Sequence, residues 1–187
     1  LATIWTFIAA ILVWIAFHIN DEIGHKAHRA WAKGCCWLMG VNVRFAGLEN
    51  WPASGGVILC PNHESLWDIV TLATIPYSFK WIAKAEVKKI PLVGPATKAI
   101  GCFFVSRDKS GKDLNVMREV ELGLASGKSA VIFPEGTRTR TGDLLPLKKG
   151  AFRTAQNARV PLLPVGISGT FQIAPAGQIP SKRGHQV

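Results

Sequence analysis

At 187 residues, 48% of them hydrophobic, the chain is the length of one domain with a substantial core. Its 22 Lys and Arg against 12 Asp and Glu give a net charge of +10, and Lys80 to Arg153 alone holds 15 basic and 7 acidic residues. Such a basic centre calls for an anionic partner (phosphate-bearing small molecules, a membrane surface or nucleic acid), beside the plainer reading of a generally cationic soluble protein.

Leu1 to Ile19 is apolar except at Thr3, Thr6 and His18. As a helix it would come close to the ~30 Å of a bilayer core. Trp5 and Trp14 suit interfacial placement, and Lys26, Arg29 and Lys33 follow on one side, which puts the downstream residues in the cytoplasm. A signal peptide fits less well, because no small-residue cleavage site follows Ile19 and the first basic residues come after the run. The segment is expected to be a membrane anchor, either a single span or a helix lying in the interface. A buried globular helix is the alternative. His25 to Met39 reads as a second helix, with Ala27, Ala30, Trp31, Gly34 and Leu38 at helical spacing. All seven Trp residues fall at or before Trp81, as expected of an N-terminal third that rests on lipid headgroups.

Alternating strands and helices follow. Val41 to Phe45 alternates with period two, Val57 to Cys60 is a short apolar strand, and Leu66 to Ala73 a helix. Phe79 to Ala83 and Cys102 to Val105 read as strands. Leu114, Met117 and Leu124 mark one side of a helix that Gly127 ends. Ala130 to Phe133 is the next strand, and Leu162 to Ile167 the last, after a helix near Ala151 to Ala158. This order predicts an α/β fold: a mixed sheet flanked by helices, preceded by an N-terminal membrane-associated helical segment. Cys35, Cys36, Cys60 and Cys102 lack C-x-x-C spacing, so neither a disulfide framework nor a metal site is expected, and a reducing compartment is. The chain lacks an initiator Met and stops abruptly at Val187, as a fragment would.

The densest chemistry lies in Cys60-Pro61-Asn62-His63-Glu64-Ser65-Leu66-Trp67-Asp68. An imidazole held by a carboxylate takes protons from hydroxyl groups. No Gly-x-Ser-x-Gly nucleophile motif accompanies it, so the base would activate a substrate hydroxyl directly. Ser65-x-x-Asp68 also fits a helix-capping box, in which Asp68 would merely serve the helix. The two readings are compatible if His63 precedes the helix and Asp68 reaches back from its first turn. Arg107 leaves a second strand, and Phe133-Pro134-Glu135-Gly136-Thr137-Arg138 leaves a third. Ligands bind outside the carboxyl ends of strands in open α/β sheets, so His63, Arg107 and Arg138 could share one crevice. Arginine's planar fork suits phosphate. A plain turn and solubilising arginines are the competing readings.

In this order, Asn62-His63 to Asp68, Gly101 to Arg107, Phe133 to Arg138 and Val160 to Val165 resemble the four blocks of the glycerolipid acyltransferase family. The resemblance covers roughly Val57 to Gly169. Phe103 and Phe104 stand where aliphatic residues are common, and Leu162-Leu163 replaces the more usual Ile-Val. The apolar N-terminus gives membrane-anchoring or interfacial helices over 1–40, and the resemblance implies an acyltransferase domain over 41–187. It further implies transfer of an acyl chain from acyl-CoA or acyl carrier protein to the free hydroxyl of 1-acyl-sn-glycerol-3-phosphate, with no cofactor or metal. His63 would be the general base and Asp68 its orienting partner. Glu135, Gly136, Thr137 and Arg138 would bind the acceptor, with Arg107 and Lys84 near its phosphate. Two alternatives remain at this stage. One is the same chemistry on glycerol-3-phosphate, another lysophospholipid or a lyso-aminolipid. The other is a non-enzymatic basic module on anionic lipid or nucleic acid, the latter disfavoured because the Trp residues lie mostly outside the basic segment.

Overall fold

The computed structural model describes residues 2–106, 112–178 and 184–187. Two long helices open the chain, α1 (Ala2–Ile19) and α2 (Asp21–Met39). Asn20 separates them: its side-chain oxygen accepts the Ile23 N–H at 2.8 Å and starts α2. Gly40, at φ 64°, ends it in the left-handed conformation. The two helices form a tight hairpin because Gly24 and Gly34 lie directly under the Phe17 and Trp5 rings, where a methyl group would collide. Trp5 Nε1 donates to the Trp31 carbonyl at 2.9 Å and fastens the pair.

Five strands follow: β1 (Ile58–Pro61), β2 (Lys80–Lys84), β3 (Phe103–Val105), β4 (Ala130–Val131) and β5 (Leu162–Val165). They form one sheet in the order β3-β2-β4-β1-β5. Every pairing is parallel, so the expected mixed sheet is corrected to a parallel one. The cause is in the connections. Helices α3 (Trp67–Leu72), α4 (Val93–Ala99), α5 (Lys112–Ala125) and α6 (Gly150–Ala158) occupy the crossovers, and each returns the chain to the same end of the sheet.

The sheet is buried on both faces, which is why β1 reads as an unbroken apolar run. Val57 and Leu59 point into a core with Val13 and Phe17 of α1, Ala32 of α2 and Leu72 of α3. Ile58 and Cys60 point the other way, against Val120 and Leu124 of α5 and Ala151, Ala155 and Ala158 of α6. The N-terminal hairpin therefore covers one face of the sheet. Among the described residues no helix is long and apolar enough to cross a membrane.

Two local expectations change. Val41 to Phe45 is no strand of the sheet; Asn42 makes one isolated bridge to Gln186 of the C-terminal segment. Leu114 is 74% exposed, and the buried side of α5 is formed by Val120 and Leu124. A short helix the sequence did not signal, α7 (Thr170–Ile173), closes the chain behind α3.

Candidate active site

β1 ends at Pro61, and the next residues turn outward at the carboxyl edge of the sheet. Asn62 ties this exit to that of β5: its amide donates to the Ile167 carbonyl at 2.8 Å and its oxygen accepts the Ile167 N–H at 2.6 Å. His63 comes next, and its Nδ1 lies 2.7 Å from Asp68 Oδ2. Asp68 is 0% exposed, and the same oxygen also accepts the Glu64 and Ser65 N–H groups at 2.7 and 2.9 Å. Ser65 Oγ in turn accepts the Trp67 N–H at 3.1 Å. The carboxylate half of the expected capping box, the Ser65 N–H on Asp68, and the imidazole-carboxylate pair therefore share one oxygen, while Ser65 Oγ takes the Trp67 N–H and not that of Asp68. The bond to Asp68 fixes the proton on Nδ1 and leaves Nε2 as the basic nitrogen. Nε2 makes no hydrogen bond with a described residue. Phe133 stacks on the ring with centroids 3.8 Å apart and holds its plane.

The turn after β4 grips the backbone of His63 from both sides. Glu135 Oε1 accepts the His63 N–H at 2.6 Å, and the Thr139 N–H reaches the His63 carbonyl at 2.9 Å. The second Glu135 oxygen accepts the Leu145 N–H at 2.8 Å, and the residue is buried. Glu135 thus spends its carboxylate on two backbone donors and braces the site. Gly136 turns the chain at φ 71°, Thr137 is exposed, and the amine of Lys148 lies over Gly136. Arg138 is half-buried and pairs with no acidic group among the described residues, so its guanidinium remains available to an anion. Lys84 stands exposed at the carboxyl end of β2, paired in register with Val105. Arg107 lies outside the described residues.

β1 and β4 are neighbours in the sheet, and this adjacency brings His63 beside the Phe133–Arg138 turn. Glu64 sits next to the pair; burial first, and then the Asp68 charge, push its carboxyl above the usual range. Two clefts elsewhere, about 200 and 500 Å³, lie around Trp51 and Trp37 and are not lined by His63.

Residues 42–168 match the family model described as Acyltransferase. The chain belongs to the acyltransferase family. A chloroplastic 1-acyl-sn-glycerol-3-phosphate acyltransferase of Brassica napus is 36% identical over 132 residues, 70% of this chain and 38% of that protein. The human 1-acyl-sn-glycerol-3-phosphate acyltransferase alpha is 34% identical over 71% of this chain and 47% of its own. The 1-acyl-sn-glycerol-3-phosphate acyltransferase of Saccharomyces cerevisiae is 33% identical over 83% of this chain and 54% of its own. The chain thus spans between 38% and 54% of the length of these relatives. The crystal structure of the 1-acyl-sn-glycerophosphate acyltransferase PlsC of Thermotoga maritima superposes with a TM-score of 0.75 at 25% identity, over 94% of this chain and 81% of that one.

Four residues that hold this acyltransferase site together were not singled out from sequence: Asn62, Phe133, Thr139 and Thr170. Asn62 and Phe133 lie inside the quoted blocks, so adjacency to His63 and Glu135 was their available signal. Thr139 and Thr170 act through one backbone N–H, to the His63 carbonyl, and one hydroxyl, to Asp68 Oδ1, which composition and periodicity do not mark.

Proposed function

We propose that the protein transfers an acyl chain from a thioester of coenzyme A or acyl carrier protein to the free hydroxyl of 1-acyl-sn-glycerol-3-phosphate, giving phosphatidic acid. The observation that carries this reading is His63: its Nδ1 is bound to a buried carboxylate, its Nε2 makes no hydrogen bond with a described residue, and it stands at the carboxyl edge of a parallel sheet beside Arg138. Nε2 removes the hydroxyl proton as the oxygen attacks the thioester carbonyl. The tetrahedral intermediate collapses with cleavage of the carbon–sulfur bond, and the imidazolium returns the proton to the departing thiolate. Asp68 holds the ring in the reactive tautomer and stabilises the imidazolium. A thioester is already activated, so no covalent enzyme intermediate is required.

Arg138 receives the acceptor phosphate, with Lys84 and Arg107 as further cations for the anionic substrates. The exposed apolar side chains of α1, Ile4, Ile8, Ile11, Leu12, Ile15 and Ile19, set the molecule on the bilayer surface that supplies the acceptor. In this arrangement α1 lies in the interface. The test is labelled acyl-CoA with lysophosphatidate, glycerol-3-phosphate and other lysophospholipids, and separation of the products by thin-layer chromatography. Labelled phosphatidic acid from lysophosphatidate, with far less product from the other acceptors, is expected. Equal or greater product from another acceptor would replace this assignment.

A further inference from the structure

We infer that Thr170 is a positioning residue for the base, acting through Asp68; this rests on the acyl-transfer reading above. The Asp68 carboxylate divides its bonds unevenly. Oδ2 takes three donors, His63 Nδ1 and the Glu64 and Ser65 N–H groups, at 2.7, 2.7 and 2.9 Å. Oδ1 takes one, the hydroxyl of Thr170. Both side chains are 0% exposed, so water has no access to replace that donor. An ionised carboxylate only accepts, so Thr170 donates its single hydroxyl proton to Asp68. The hydroxyl therefore pins the oxygen that His63 does not touch. It stops the carboxylate from rotating about its own bond and partly neutralises its charge, on which the basicity of the imidazole depends.

The segment carrying Thr170 is built to hold that position. Gly169, at φ 95°, passes so close to the Gln186 carbonyl that a β-carbon would collide with it. At the other end of α7, Ser65 Oγ donates to the Ala174 carbonyl at 2.6 Å, and Ser65 bridges to Pro175. The loop from His63 to Asp68 is thus fastened to α7 at two points. Thr170 lies beyond residues 42–168, the stretch matched by the family model. Glu64 and Glu135 are the other carboxyl groups around the imidazole. Both are kept in the test.

The test compares Thr170→Val, which keeps the shape and removes the donor, with Thr170→Ser, which keeps the donor. Two readouts are taken on the full chain. One is steady-state acyl transfer against pH. The other is the titration of the His63 ring followed by NMR, which reads the pair whatever the substrate. In Thr170→Val, kcat is expected to fall about tenfold or more with both KM values within twofold, a part of the ~10²–10⁴-fold that a well-oriented base contributes. The His63 midpoint should rise by at least half a pH unit, because the unneutralised carboxylate binds imidazolium more tightly. Serine should restore both. An unmoved or lowered midpoint in Thr170→Val, or a kcat that stays near wild type while thermal stability drops, would overturn the inference and leave Thr170 a structural residue. If Thr170→Val does not fold, Thr170→Ala against Thr170→Ser isolates the hydroxyl, since neither carries the methyl. Absence of transfer by the wild-type chain would sink the functional reading, and the NMR arm would still decide the role of Thr170.

Discussion

His63 and Asp68 carry separable duties, and substitutions can part them. His63→Ala removes the proton acceptor without touching the Glu135 and Thr139 bonds, which run to the His63 backbone. Turnover should fall by ~10²–10⁴ with the fold retained, as measured by kcat alongside circular dichroism. Asp68→Asn is harsher on structure: an amide in place of Oδ2 would set a donor against the Glu64 and Ser65 N–H groups. It should lower turnover comparably and cost about 1–3 kcal/mol of stability. Loss of stability with turnover near wild type would reduce Asp68 to its capping role. Arg138 offers a bidentate fork that lysine lacks. Arg138→Lys should raise the KM for lysophosphatidate, and Arg138→Ala should raise it further, with the acyl-CoA KM moving much less. A shift in the donor KM instead would assign Arg138 to the coenzyme A phosphates.

Among the elements, those whose faces were set by burial on the sheet were legible beforehand, and those set by remote partners were not. β1 and β4 announced themselves as apolar runs because both faces of the sheet are covered. Val41 to Phe45 alternates like a strand, yet its backbone pairs with 185–187 outside the sheet, a partner no local pattern reveals. Leu114 fits the helical period of α5 but projects into solvent at its start. The His63-to-Asp68 spacing was readable because the pair is local. Its braces on α7 and in the turn after β4 lie 72 to 102 residues away. α2 adds a liability of its own. Burial pushes His25 down to about 4, helped by the Lys80 charge, and His28 down to about 3, helped by His25 and Arg29. The unfolded chain, with histidines near their ordinary 6.5, binds more protons below that pH. Their contribution is therefore complete above about pH 6.5 and is lost as pH falls toward 4 and then 3. The melting temperature should drop over that window, and His28→Phe should flatten the drop. An unchanged slope in His28→Phe would show that other groups drive acid unfolding.

Across the whole molecule, the sheet directs the described candidate substrate contacts to its carboxyl edge, while α1 lays its small residues Ala9, Ala10 and Ala16 inward and its large aliphatic ones outward. A sheet face needs only one side of the hairpin, so burial in the protein does not account for the exposed Ile and Leu side chains. Trp37, 81% exposed near the end of α2, and Trp14 on α1 add exposed side chains of the kind that favours headgroups. The net charge of +10 adds attraction to anionic lipid, about 1 kcal/mol for each Lys or Arg that reaches the surface. Two terms of different physical origin should therefore separate in flotation experiments. Raising salt should weaken binding to anionic vesicles and leave the weaker binding to zwitterionic vesicles unchanged, because only charge is screened. Replacing Ile8, Ile11 and Ile15 together with Ser should reduce partitioning to both kinds. Each aliphatic group withdrawn from water contributes about 0.8 kcal/mol per CH₂, so a loss of at least about tenfold is expected. The triple variant should keep its turnover on a water-soluble, short-chain acceptor and lose it on long-chain lysophosphatidate in vesicles, since His63 is untouched. Full retention on zwitterionic vesicles would show that a surface other than α1 meets the bilayer, and the exposed Trp37 end of α2 would be the next face to alter.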